Sequence, residues 1–233
     1  VHQLKQSADN VLHLLFPHCC AGCGTDILEA TGVLCAACAD ALPLTYFEHH
    51  GNNPIEKIFW GRLPLTHATA HYFFTKDSIM QQLMHNLKYK GNKEVGIWLG
   101  KTMGTQLAGT NRFMQVDALV PLPLYPEKEH QRGYNQARVL CDGMAAIMQK
   151  PVLNSAIIRT HHTESQTKKS RVERWQNMEG RFLVTDPAAL QGKHLLLVDD
   201  VVTTGATLEA CGRCLMEVPD VRLSVATLCC AFG

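Results

Sequence analysis

The chain has 233 residues, is 46% apolar and carries a formal net charge of +1. Such a length and apolar content suit one large domain, or a domain plus a small module, around a sizeable core. The near-balanced charge excludes a global basic field for nucleic acid, so any binding of that kind has to be local.

Taken in order, residues 1–16 read as a helix with Leu4, Val11, Leu12, Leu14 and Leu15 on an apolar stripe, stopped by Pro17. The stretch Val11 to Phe16 is too short for a membrane span or a signal core, so membrane insertion is not expected and the cytoplasm is the expected compartment. Among 10 cysteines, Cys20-x2-Cys23 and Cys35-x2-Cys38 form paired knuckles. Without a secretion signal, that spacing points to metal ligands rather than disulfides. Two such turns aim four thiolates at one point and suit a tetrahedral, structural Zn2+. A module this small cannot bury a core of its own, so the metal carries its folding. Cys19 is an alternative first ligand and His18 a weaker one.

Residues 39–66, with Pro43, Pro54, Pro64 and Gly51-Asn52-Asn53, read as a linker with short extended pieces. The domain division is therefore 1–45 for the helix and ribbon, 46–65 for the linker and 66–233 for the main domain. Ala68 to Thr75 alternates around Tyr72 and Phe74 as a strand. Ser78 caps a helix over Ile79–Lys88 with Ile79, Leu83, Met84 and Leu87 on one face, and a second helix follows over Glu94–Leu107. Lys88 and Lys90 either meet an anion or simply complement the helix dipole. Val116 to Leu124 begins as a buried strand that Pro121 and Pro123 end. A polar loop, Tyr125 to Gln131, leads to Arg132-Gly133-Tyr134-Asn135-Gln136-Ala137-Arg138 at the start of a long helix ending near Met148. Arg132 and Arg138 suit that helix start if an anion sits between them. Val152 to Ile158 is a further strand candidate. The polar run Arg159 to Arg181, with His161, His162, Gln166, Lys168, Lys169, Arg171 and Arg174, holds little apolar surface. It reads as a mobile cationic lid that closes over a phosphate ligand and neutralises a leaving diphosphate.

Leu195-Leu196-Leu197-Val198-Asp199-Asp200-Val201-Val202-Thr203-Thr204-Gly205-Ala206-Thr207 is the most informative stretch. Four apolar residues make a strand buried on both faces, and two adjacent carboxylates end it. A small-residue turn then opens a helix over Leu208–Glu217. A strand, a small-residue turn and a helix start cradle phosphate on backbone amides, with Gly205 allowing close approach and Thr203, Thr204 and Thr207 adding hydroxyls. Carboxylates beside a phosphate face another part of the ligand, either a ribose diol or a magnesium ion. The chain closes on a strand, Val221 to Cys230, and Cys211-x2-Cys214 with Cys229-Cys230 reads as packing, with a second metal site or a redox pair as the alternatives.

That stretch resembles the PRPP loop of type I phosphoribosyltransferases. Together with the cysteine ribbon, Leu87-Lys88-Tyr89-Lys90-Gly91, Val120-Pro121-Leu122-Pro123, Arg132-Gly133-Tyr134-Asn135-Gln136 and the cationic run, it resembles the ComF (GntX, late-competence) family. The resemblance implies an α/β fold with a mostly parallel sheet and helices on both faces, preceded by a zinc ribbon, with the ligand at the carboxyl ends of the strands. It implies PRPP with Mg2+ as ligand: Asp199 and Asp200 hold the ribose hydroxyls, while Val201, Thr203, Thr204, Gly205, Ala206 and Thr207 wrap the 5′-phosphate, with Arg132 nearby. Lys168, Lys169 and Arg171 stabilise the leaving diphosphate. The reaction implied is displacement of diphosphate by a nitrogen acceptor. Purine-salvage relatives carry an acid at the position of Thr203, a departure that argues against a purine acceptor needing that carboxylate. The family's role is in natural transformation, with single-stranded DNA, a helicase and a recombination mediator as partners. The alternative is a non-catalytic DNA- or partner-binding protein that senses PRPP or a nucleotide.

Overall fold

The run Leu195–Val198 lies at the heart of a parallel sheet. The computed structural model describes residues 18–26, 32–160 and 182–232. Its strands are β1 (Ala68–Phe73), β2 (Ala118–Pro121), β3 (Ile157–Arg159), β4 (Phe182–Val184), β5 (His194–Val202) and β6 (Arg222–Cys230). The helices are α1 (Ala36–Asp40), α2 (Pro54–Phe59), α3 (Ile79–Tyr89), α4 (Lys93–Ala108), α5 (Pro126–Arg132), α6 (Gln136–Met148), α7 (Pro187–Leu190) and α8 (Ala206–Met216). The main sheet has the order β1-β6-β5-β2 with every pairing parallel; β3 and β4 form a separate antiparallel hairpin.

Burial on both sides explains the unbroken apolar run of β5. Leu195 and Leu197 face a layer that includes Ile55 and Phe59 of α2 and Leu208, Cys211 and Leu215 of α8. Leu196 and Val198 face the opposite layer, with Leu83 and Leu87 of α3, Leu99 of α4 and Leu140 of α6. Each fully buried leucine contributes about 1.5–3 kcal/mol. Helices α4 and α6 cross very closely, since a Cβ on Gly100 would collide with the Leu140 carbonyl and one on Gly143 with the Ile97 carbonyl.

The strand does not end at the acids. β5 continues through Asp199 and Asp200 to Val202, paired on one side with β6 as far as Val202 opposite Cys230. On its other side, β2 stops at Pro121, opposite Val198. Among the described residues no strand pairs with that flank of β5 beyond Val198, at the carboxyl end of the sheet, where ligands of open α/β folds bind.

Three expected elements differ. The linker at 46–65 contains α2, whose Ile55 and Phe59 are buried in the core. The loop expected over Tyr125–Gln131 is α5, with Pro126 at its start and Gly133 (φ +77) as its left-handed cap. Arg132 consequently stands in the last turn of α5, favourable for the dipole, and not at a helix start. In the 152–158 region, Val152 makes only an isolated bridge to Leu119, and the strand is the short β3. The N-terminal helix lies outside the described residues; of the cationic run expected over Arg159–Arg181, Arg159 ends β3 and residues 161–181 lie outside the described residues.

Candidate functional site

After Val202 the chain turns through Thr203, Thr204 and Gly205 into α8. Gly205 has φ +73, and a Cβ on it would sit 2.8 Å from Ile58 Cγ2 and 2.9 Å from Phe59 Cε1. The turn is thus wedged onto α2, and glycine satisfies both the left-handed backbone and the close approach. Arg62, just past α2, fixes the turn from outside. Its Nη1 donates 3.0 Å bonds to the carbonyls of Thr204 and Ile58, and its guanidinium pairs with Glu209 in the first turn of α8. Arg213 closes the network with bonds to Glu209 and to the Arg62 carbonyl. With the Thr204 carbonyl tied down, the backbone N–H groups of Thr203, Thr204, Gly205, Ala206 and Thr207 meet no acceptor among the described residues. Thr203 and Thr204 are exposed. Unpaired amides at a helix start make an anion cradle.

The two acids follow Val198 on β5, past the last residue that pairs with β2. Asp199 Oδ1 accepts the Asp200 N–H at 2.8 Å, and Asp200 Oδ2 lies 2.9 Å from Lys88 Nζ. Burial and the neighbouring Asp200 charge push the Asp199 carboxyl up to about 8, against the opposing pull of the Asp200 N–H, Lys88 and Arg159. Lys88 therefore belongs to the acid pair and does not merely decorate the end of α3. Arg159, expected as the first residue of the cationic run, instead ends β3. Its guanidinium is 3.9 Å from the Tyr125 ring centroid and 5.2 Å from that of Phe182, an aromatic slot that holds a cation within electrostatic reach of Asp199. Arg132 donates to Gln136 Oε1 at 2.6 Å and lies 5.9 Å from the Tyr89 ring, next to Lys88 in sequence but touching neither acid. Lys168, Lys169 and Arg171 lie outside the described residues.

Far from the acids in sequence, the Cys20, Cys23, Cys35 and Cys38 sulfurs all lie within 4.8 Å of one another. The Cys23–Cys35 sulfur separation is 3.8 Å, about the edge of a tetrahedron with metal–sulfur bonds of about 2.3 Å. Cys20 Sγ accepts the N–H groups of Gly22 (3.4 Å) and Cys35 (3.3 Å). Burial raises its pKa, but the backbone bonds win and draw the thiol down to about 6. These residues fit zinc. The knuckle docks on α3 through a 3.0 Å bond from Asn86 Nδ2 to the Ala21 carbonyl. Cys211, Cys229 and Cys230 are buried core residues, as expected. No helix among the described residues is long and apolar enough to cross a membrane.

The sequence has known relatives. A model of the phosphoribosyl transferase domain matches residues 135–231, from the start of α6 through β6. Competence protein F of Haemophilus influenzae is 26% identical over 92% of this chain and 91% of its own length. DNA utilization protein YhgH of Escherichia coli (strain K12) is 28% identical over 64% of the chain and 66% of its own length. Competence protein ComFC of Bacillus subtilis is 29% identical over 62% of the chain and 56% of its own length. Among solved structures, a glutamine phosphoribosylpyrophosphate (PRPP) amidotransferase from B. subtilis aligns with a TM-score of 0.42 at 15% identity, covering 61% of this chain and 30% of that one. At that TM-score the likeness adds nothing to the topology already described. Residues 135–231 thus match the phosphoribosyl transferase domain, and the chain is similar to competence protein F over most of its length and to YhgH and ComFC over about two thirds of it.

Proposed function

We propose that the protein binds PRPP with magnesium and transfers its phosphoribosyl group to a nitrogen acceptor, in a cytoplasmic role in DNA uptake of the kind its relatives' names describe. The observation that carries this reading is the turn 203–207: its amides have no acceptor among the described residues, while Gly205 and Arg62 hold it rigid. The 5′-phosphate takes those amides, and Asp199 and Asp200, just upstream on β5, take the ribose hydroxyls. Two adjacent carboxylates also suit a hard divalent cation. When bound, magnesium neutralises diphosphate charge. The chain's own residues do the rest: Lys88 sets the charge of the acid pair, and Arg159, with Lys168, Lys169 and Arg171 of the following segment, supplies cations toward the leaving group. The ribbon braces α3 by the Asn86–Ala21 bond.

A second reading is favoured by Thr203, which offers no carboxylate where purine-salvage relatives carry an acid. In it the fold binds PRPP or a nucleotide without turnover, while single-stranded DNA, a helicase or a recombination mediator is the partner. Diphosphate release from PRPP, measured with magnesium and a panel of amine and heterocycle acceptors, separates the two. Steady release with one acceptor supports transfer. PRPP binding without release, together with salt-sensitive DNA binding, supports the second reading.

A further inference from the structure

Thr203, Thr204 and Gly205 join β5 to α8, and the 204–205 peptide of that turn is held from one side. Arg62 Nη1 donates 3.0 Å bonds to the Thr204 and Ile58 carbonyls, and Arg62 Nε donates at 2.9 Å to Glu209 Oε2. Glu209 Oε1 accepts from Arg213, at 3.2 Å from Nε and 3.0 Å from Nη2. Both oxygens of that carboxylate are thus engaged, and its charge offsets the Arg62 guanidinium. Arg62 and Arg213 line a groove of about 410 Å³ with Leu63, Pro64 and Cys214; neither the acid pair nor any residue of the 203–207 turn lines it. Arg62 therefore stands behind the turn, apart from Asp199, Asp200 and Lys88.

In a trans peptide the carbonyl and the following N–H point in opposite directions. The bond from Arg62 to the Thr204 carbonyl therefore also sets where the Gly205 N–H points: away from Arg62, with no acceptor among the described residues. Gly205 does not fix that direction by itself. Turning the 204–205 peptide over carries φ of residue 205 to the negative side, and glycine, here at φ +73, accepts either sign. The overturned peptide would present a carbonyl where an anion needs a donor. The close approach of Ile58 and Phe59 demands a glycine at this position, so the orientation has to be imposed from outside the turn. We propose that Arg62 is a positioning residue: by holding the Thr204 carbonyl it keeps the Gly205 N–H aimed at the 5′-phosphate, without touching the ligand itself. The inference rests on the PRPP-binding reading above and adds to it the group that presets one phosphate donor. A donor already in place needs no reorientation when the anion arrives, so the contribution of Arg62 is read as phosphate affinity.

The test follows both ends of that one peptide in the full chain with zinc bound. Thr31-Gly32 and Thr204-Gly205 are the two Thr-Gly pairs of the sequence, so isotopic labelling of threonine carbonyls and glycine nitrogens isolates two amide signals by NMR. Ribose 5-phosphate and magnesium–PRPP are the probes, with affinity read by calorimetry. In the parent protein, ribose 5-phosphate moves the Gly205 N–H signal downfield, as a charge-assisted hydrogen bond does. Arg62→Met shifts the Thr204 carbonyl signal, abolishes the Gly205 response and lowers affinity for ribose 5-phosphate at least about 10-fold. Arg62→Lys, whose ammonium supplies donors for the Thr204 and Ile58 carbonyls, recovers the Gly205 response and part of the affinity. A parent titration taken to saturation that leaves the Gly205 N–H unmoved overturns the proposal without any variant. So does an Arg62→Met protein that binds like the parent, or one that loses affinity while its Gly205 N–H responds as before. If the parent protein binds neither probe, the PRPP-binding reading beneath the proposal is the one that fails.

Discussion

Lys88 Nζ lies 2.9 Å from Asp200 Oδ2, joining the C-terminal turn of α3 to the end of the central strand β5. Both side chains are largely shielded, at 22% and 14% exposure, so this pair differs from a surface contact in high dielectric. Without Lys88, two adjacent carboxylates are left with less compensation at the end of a buried strand. Lys88→Met is therefore expected to lower stability by about 1–3 kcal/mol in urea unfolding, below the cost of breaking a fully buried pair. It is also expected to weaken PRPP binding. Unchanged stability together with unchanged affinity would show that the pair does no work in the site.

Asp199 gives a pH dependence with a defined sign. Burial and then the Asp200 charge raise its carboxyl to about 8. The folded protein keeps a proton that the unfolded chain loses from about pH 4 upward. Folding thus takes up a proton between about pH 4 and pH 8, and stability of the ligand-free protein falls as pH rises through that window. Asp199→Asn fixes the neutral form, so Tm at pH 8 is expected to rise by about 2–4 °C, the shift about 1 kcal/mol makes in a domain this size. PRPP hydroxyls favour the carboxylate, so binding to the parent protein should release a proton. Calorimetry at pH 7 in buffers of different ionisation enthalpy reads that release directly, and the Asn variant should lose it.

Gly205→Ala tests the wedge between the 203–207 turn and α2. The new methyl would meet Ile58 and Phe59 below 3.0 Å at a backbone φ of +73. A cost of about 1–3 kcal/mol is expected from strain and overpacking together. PRPP affinity should fall at least about tenfold, the effect of losing roughly 1.4 kcal/mol of cradle geometry. Thermal unfolding and calorimetry check the two effects separately.

The ribbon should carry one zinc per chain, read by metal analysis of freshly purified protein. Cys38→Ser removes a buried ligand from a site whose sulfurs already lie within 4.8 Å of one another. It should abolish the zinc content. Because the knuckle holds α3 through Asn86 and Ala21, zinc loss should also lower Tm. A full complement of zinc in the variant would move the ligand to another residue.

Local signals made much of this molecule legible. Ser78 caps α3 by accepting the Gln81 N–H, and the apolar run of β5 reports burial on both faces. Both are encoded within a few residues. Helix α2 was hidden by the prolines and glycine around it, although Asn53 caps it and the Ile55–Phe59 pair at i, i+4 supplied a signal. The polar helix α5 has no apolar stripe to announce it, and its marks are Pro126 at the start and Gly133 at the end. In the candidate site, the acids and the turn stand together in one short stretch of sequence. Their supports do not, because Arg62 reaches Thr204 across 142 residues of sequence and Arg159 meets Tyr125 only through the fold. A sequence shows which groups a ligand needs; it does not show which distant side chains hold them in place.

The most direct measurement is a calorimetric titration of the protein and of Asp200→Asn with PRPP in the presence of magnesium. The account predicts one saturable site per chain in the parent protein, with affinity reduced at least about 100-fold in the variant while the variant still unfolds in one cooperative transition. Absence of heat on the parent protein, or equal affinity in the two, would contradict the assignment of the acids and the turn to a ribose phosphate.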